Sequence, residues 1–388
     1  LNARKEQGVY MGVTADLRRH GIRMKVFPEH PTLVYRPFTV NRDNYIYLAD
    51  NGRIHANLNL HDDQGSGLSF YTNREDTIAK QDMTFELSRI NLKEFRRILP
   101  YMPDIEGWIG AEAHYIDSGP YMMVSSDLRV DEFKYEGSAL GNWEFSGVYL
   151  PGEEKDHHLD AYIRCDGKEI AHLGGIYLPA AEGTGSLSAD MAFEHFPLNV
   201  VNPFVPDRMV ELNGDIDGTL SMKGDPAKPL LNGELALDSV TFFMPEMSAM
   251  FRFDNEPVQV VNSKMMFKDF DIFTKGKTPF TINGEVDFSD LERTAVNLKM
   301  HAENYELLNA PRTKRAMVYG KMYVDFNATL RGPVEELVMR GNMNILGKTN
   351  VTYVLKDSPL TVNDRLGDMV TFVNFNDTTS VEESDRKS

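Results

Sequence analysis

Apolar and polar residues alternate with a period of two along most of this chain. The clearest run is Val318–Phe326 and its continuation, where Met322, Val324, Phe326 and Ala328 fall on one side and Lys321, Tyr323, Asp325 and Asn327 on the other. That pattern predicts a strand with one dry and one wet face. The same alternation appears at Tyr45 and Tyr47 and, after the turn Asp50-Asn51-Gly52, at Ile54, Ala56, Leu58 and Leu60. Asn-Gly between alternating segments predicts a hairpin over 44–60. Shorter extended pieces are expected at Val9–Thr14 and Gly21–Phe27, and further strands at Leu68–Thr72 and Met83–Ser88. Leu187, Met191 and Phe193, then Ile216 and Leu220, Leu235 and Leu237, Val286 and Phe288, and Val296, Leu298 and Met300 continue the apolar series, which closes with Met343 and Ile345. One helical segment is expected at 91–99. There Asn91 caps, Glu94 sits three residues on, and Leu92, Phe95, Ile98 and Leu99 share a face up to Pro100.

The strands recur at long range. Ile105-Glu-Gly107, Leu212-Asn-Gly214 and Val318-Tyr-Gly320 each open an alternating run, and the glycines stand 107 and 106 residues apart. Each run ends in a Gly-Pro or Gly-Asp-Pro turn, at Gly119-Pro120, Gly224-Asp-Pro226 and Gly332-Pro333. Residues 175–198 match 284–307 without a gap. The chain therefore holds about three copies of a unit too long to be one rung of a common solenoid. The expected divisions are an N-terminal β segment at 1–90, repeats at 91–195 (with the helix) and 196–303, a partial repeat at 304–375, and a polar, disordered tail at 376–388. The expected fold is all-β: an elongated, repetitive antiparallel sheet whose dry faces join along the long axis.

Composition narrows function more than fold. A formal charge of −17 opposes a phosphate backbone, which argues against nucleic-acid binding. The single cysteine, Cys165, allows no internal disulfide. No run reaches the 18 or so apolar residues of a membrane helix. The chain opens on Leu1, and the expectation is that it is a segment of a longer protein. Met and Phe, at 20 and 22 residues, suit either an ordinary core or a surface that accommodates flexible apolar partners.

Candidate chemistry is sparse. Asp156-His157-His158-Leu159-Asp160, with Cys165 and His172 nearby, is the one local cluster of metal-type ligands, but it lacks a ligand spacing of known type and reads as a solvated turn. Gly183-Thr-Gly185-Ser leads into a strand rather than a helix, which argues against a phosphate cradle. Asp215 and Asp217 share the wet face of a strand and have no acidic counterpart in the other copies. Arg312, Lys314 and Arg315 form one short basic loop. No nucleophile elbow or Cys/His pairing is present, so the expectation is no enzyme, no metal and no cofactor.

The recurring pattern resembles the TamB family of the AsmA-like superfamily. It is carried by Leu212-Asn-Gly214 through Pro226 and Leu231-Asn-Gly233 to Leu237, by Ile282-Asn-Gly284 with Asn297–Leu308, and by Gly341–Leu355 with Asp364–Phe372. The likeness is clear over 185–375 and weaker over 40–185. It implies a gutter-shaped or taco-like β-solenoid with an apolar interior, in the periplasm, anchored in the inner membrane by a segment outside this chain. It also implies that phospholipid acyl chains move along the groove between the membranes in outer-membrane biogenesis. An Omp85-type outer-membrane barrel is implied as partner, met through another part of the full-length protein. The groove-lining candidates are then Ile54, Leu58, Leu60, Leu187, Met191, Phe193, Ile216, Leu220, Leu235, Leu237, Val286, Phe288, Val296, Leu298, Met300, Met322, Val324, Phe326, Met343 and Ile345. The alternative is a scaffold or chaperone that assists barrel proteins by strand addition. A carbohydrate-active solenoid is a third and weaker reading, since it needs an exposed acidic cluster that the repeats do not carry.

Overall fold

A computed structural model of the chain describes residues 8–353 apart from 34, 74–78, 97–98, 100, 120–121, 153–155, 181–182, 206–208, 246–247 and 313–317. The expected stretch Asp364–Phe372, the tail at 376–388, Lys314 and Arg315 lie outside the described residues, as do Ile98 and Pro100 of the expected helix.

Among the described residues, twenty-four strands form one antiparallel sheet in which nearly every strand pairs with its neighbour in sequence. The first hairpin is β1 (Val9–Arg18) and β2 (Gly21–Leu33). The short β3 (Arg36–Pro37) pairs with β2, and the short β4 (Thr39–Val40) pairs with β6 (Ile54–His61). Beside them β5 (Tyr45–Ala49) and β6 make the hairpin that Asn51-Gly52 predicts. Then follow β7 (Gly67–Thr72), β8 (Gln81–Asn91), β9 (Ile105–Asp117), β10 (Met122–Tyr135), β11 (Ser138–Pro151), β12 (His157–Cys165), β13 (Lys168–Leu178), β14 (Ser186–Pro197), β15 (Glu211–Gly224) and β16 (Leu230–Met244). The short β17 (Ala249–Phe253) and β18 (Val258–Val261) share the next place in the sheet, ahead of β19 (Lys264–Phe273), β20 (Phe280–Asp287), β21 (Ala295–Ala310) and β22 (Val318–Pro333). The end of the sheet is again shared, by β23 (Val338–Ile345) and β24 (Asn350–Tyr353).

At roughly 4.8 Å per strand, some twenty successive places give a sheet about 90 Å long. The chain exposes 26386 Å², about 1.7 times the roughly 15,500 Å² of a compact globule of its mass. No helix among the described residues is long and apolar enough to cross a membrane.

The expected helix is a single turn, α1 (Leu92–Phe95), capped by Asn91, whose side chain accepts from the Lys93 N–H. Leu99 lies beyond it and is exposed. A 3₁₀ turn at Leu198–Phe204, 106 residues after α1, stands at the same point of the next repeat. Pro197 and Pro203 disrupt any apolar helical spacing there, so the alternation does not reveal it.

The repeat glycines have a common physical role. Gly107, Gly214 and Gly320 all have positive φ, at 134°, 98° and 115°. At Gly320 a Cβ would stand 2.1 Å from the Asn350 carbonyl oxygen. Only glycine fits a backbone that approaches its neighbour this closely.

Candidate functional site

Cross-strand partners in an antiparallel pair point to the same side of the sheet, so the register determines which side chains share a face. One ladder runs Phe70–Phe85–Ala113–Ser126–Gly147–Ala161–Leu173–Met191–Leu220–Gly233–Val260–Met265–Val286–Val296. The parallel ladders are as apolar: Phe193–Gly218–Leu235, Phe196–Ile216–Leu237, Leu298–Leu330 and Met300–Ala328. Nineteen of the twenty candidate residues fall in strands on this one face. Phe288 lies just past the end of β20, its N–H bonded to the Ser263 carbonyl.

Burial differs along the face. Leu60, Leu220, Met300 and Val324 are buried. Ile54, Leu58, Leu187, Met191, Phe193, Ile216, Leu235, Leu237, Val286, Phe288, Val296, Leu298, Met322 and Phe326 are half-buried. Met343 and Ile345, on the edge strand β23, are 53% and 62% exposed.

Core formation follows the same gradient. Toward the C-terminal end the curled sheet closes on itself. There Ala249 and Phe251 of β17 join one cluster with Phe270, Ile272, Leu308 and Ala310, and Tyr305 and Val324 sit in an adjoining one. Phe38, Val40 and Leu60 make a small cluster near the other end. Between Leu60 and Leu220 the buried apolar side chains among the described residues are Ala79, Leu140, Ile170, Ala171 and Ala189. The middle of the dry face thus has no covering layer among the described residues, and at Ala113–Ser126–Gly147–Ala161 its side chains are small.

A band of β-bulges curves this sheet. In each, a polar residue with positive φ is inserted between two inward-facing side chains. The cases are Leu87-Ser-Arg89-Ile90, Val130-Asp-Glu132-Phe133, Phe193-Glu-His195-Phe196, Leu237-Asp-Ser239-Val240, Phe267-Lys-Asp269-Phe270 and Ala302-Glu-Asn304-Tyr305. A bulge bends its strand and steepens the local twist. Four of the inserted N–H groups are held by a side chain of the next strand. His195 donates to Asp217 (2.8 Å), Asp269 to Asn283 (2.9 Å), Asn304 to Asp325 (2.7 Å) and Glu132 to Asn142 (2.9 Å).

The opposite face is polar and paired. Lys264 bridges Glu285 (2.9 Å) and Asp287 (3.4 Å), His172 meets Asp160 (2.8 Å), and Lys93 donates to Glu106. The Lys93 ammonium holds the Glu106 carboxyl below its ordinary value, and hydrogen bonds to Glu285 and Asp287 raise Lys264. These pairs are exposed, so each adds little stability.

The metal-type residues do not converge. His157–Cys165 is strand β12 rather than a solvated turn, because its alternation is taken up by β11 and β13. His157 turns to the dry face, its Nδ1 2.5 Å from the Tyr149 hydroxyl, while His158 turns outward to Asp156 (2.9 Å). Cys165 shares the dry face with Trp143, and burial pushes its thiol up. His195, Asp217 and Asp238 bring ligand-type atoms within 4.8 Å of one another on the wet face. Two of the three form the bulge clamp just described, which accounts for their approach.

Alternation supplies no lining residue between Leu60 and Leu187, although Phe70, Phe85, Leu128, Phe145 and Leu173 complete the face there. The small residues Ser126, Gly147 and Ala161 interrupt the apolar series and hide the period.

Residues 268–388 match the family model described as the TamB C-terminal domain. No match was found among curated proteins or among solved structures.

Proposed function

We propose that this chain, whose residues 268–388 match the TamB C-terminal domain, is a TamB-type protein of outer-membrane biogenesis in the periplasmic envelope, and that its trough holds phospholipid acyl chains and lets them pass between the inner and outer membranes. One observation carries this reading: the dry face is continuous from β6 to β22, yet it is only half-buried and uncovered across its middle. An apolar surface of this extent in water needs an occupant. Acyl chains suit it, because they are flexible, apolar and have no hydrogen bonds to satisfy. The sheet already pairs its own backbone groups, so the bound chain can slide without breaking any. The work is transport or assembly rather than catalysis, and an Omp85-type barrel is the expected partner at the far membrane, through another part of the protein.

The scaffold reading has its own support in β23, which pairs only with β22 among the described residues and whose eight residues are all exposed. A strand could add there. Native mass spectrometry of protein purified without detergent tests the main reading. Bound phospholipid is the expected result, and a lipid-free spectrum would sink it.

A further inference from the structure

The dry face is not the only apolar space. A cavity of about 560 Å³ lies where the sheet has a notch. On one side β17 carries Ala249 and Met250 beyond its last pairing with β19, which covers only Arg252 and Phe253. On the other side β21 runs on through Leu307 and Asn309 after β20 has ended at the Phe280–Ala302 pair. The connection 274–279 spans the gap. Its Thr274 hydroxyl donates to the Glu306 carbonyl and its Lys275 Nζ to the Asn309 carbonyl (3.1 Å). The two open edges are thereby kept from pairing with each other, and the space between them stays open.

The lining is mainly apolar, with Phe243, Met250 and Leu307 among its walls, and the polar groups Thr274, Lys275 and Asn309 gather at one side. Its volume falls within the range of roughly 300–1,000 Å³ that holds small ligands. The rim is basic in a chain whose net charge is −17. Lys275 lines the cavity, Lys277 follows in the same connection, and Arg312 adjoins the lining residue Pro311. Glu306, the carboxylate of this stretch of β21, is taken up by Asn309 Nδ2 and the Tyr323 hydroxyl, each at 2.7 Å.

We propose that this cavity is a discrete seat for one acyl chain of an anionic phospholipid, with its phosphate at the Lys275 rim, an assignment that rests on the trough reading. Apolar depth with a cationic mouth is the complement of an anionic amphiphile. It differs from the trough, whose face is mainly apolar, with Ser126 and His157 among its few polar side chains.

The test uses the whole chain with phosphatidylglycerol and phosphatidylcholine, each carrying a photoreactive group in one acyl tail, and peptide mapping of the adducts. The expected result is phosphatidylglycerol labelling at 243–250 and 307–311, about tenfold above phosphatidylcholine, as ~1.4 kcal/mol of headgroup preference would give. Lys275→Glu should bring the two lipids level. Met250→Trp, which alters a half-exposed wall residue rather than the core, should lower labelling there and leave adducts near Phe193 unchanged. Adducts near Phe193 with none at the cavity would overturn the seat alone. Absence of adducts everywhere would overturn the trough reading beneath it. Labelling by a photoreactive fatty acid in excess of phosphatidylglycerol would overturn the phospholipid assignment.

Discussion

The same substitution should have opposite consequences at two points of the dry face. Phe193 is half-buried, against Ala171, Gly218 and the edge of Phe196 (ring centroids 6.0 Å apart). A phenylalanine side chain offers roughly 150–250 Å², so with most of it covered roughly 50 Å² remains for a passing chain, worth about 1.3 kcal/mol. Phe193→Asp removes that contact and adds a charge that resists desolvation. Lipid occupancy next to β14 should therefore fall roughly tenfold or more, with a cost to stability of about 1–2 kcal/mol. Val324 lies on the same face but is 2% exposed, packed among Tyr305, Met322 and Phe326. Val324→Asp buries an unpaired carboxylate, and a loss above about 4 kcal/mol should unfold the C-terminal half. The assay pairs urea denaturation with phospholipid transfer between donor and acceptor vesicles. A folded Phe193→Asp variant that transfers at the unaltered rate would refute the reasoning, and so would a Val324→Asp variant of normal stability.

Other substitutions probe what shapes the trough. Tyr305 is buried, its hydroxyl meets no well-formed hydrogen-bond partner among the described residues, and burial pushes the phenol well above its usual range. Tyr305→Phe should thus stabilise the protein by about 1 kcal/mol in chemical denaturation. Asp325→Ala removes the acceptor of the Asn304 N–H and should cost about 1–2 kcal/mol in the same measurement. At Gly284 φ is 137°, and an added Cβ would lie 2.1 Å from the Asn297 carbonyl oxygen. Gly284→Val should abolish soluble expression, while Gly347→Val, whose Cβ meets open space and whose backbone is not left-handed, should not. Hydrogen bonds from Ser289 hold the Asp287 carboxyl below its ordinary value of 3.8. Its contribution is therefore present above that pH and lost as pH falls through the depressed value. The melting-temperature gap between the unaltered chain and Asp287→Asn should close as pH falls below 3.8.

Alternation is enough to read the faces, because a period of two assigns each side chain a side as soon as one strand is placed. That is why Ile54 through Ile345 fall on one surface although they come from separate runs. Curvature is less legible. The extra residue at His195 or Asn304 breaks the period, and in isolation Phe193-Glu-His-Phe196 resembles helical spacing as much as a bulge. Only pairing with Asp217 or Asp325 on the next strand distinguishes them. The helix expected at 91–99 is shorter than its spacing predicts for a related reason. Leu92, Phe95 and Leu99 have the spacing of an amphipathic helix, but α1 ends after one turn and Leu99 stays exposed. Closure at β17 and β21 depends on contacts between strands far apart in sequence, which no local pattern encodes.

The direct test of the trough is residue-resolved. A photoreactive amino acid at Met191 or Leu58, on the dry face, should yield phospholipid adducts in envelope preparations. The same group at Asp190 or Asn57, one residue away on the wet face, should yield none. Equal adducts from both faces, or adducts from neither, would contradict a lipid-holding interior.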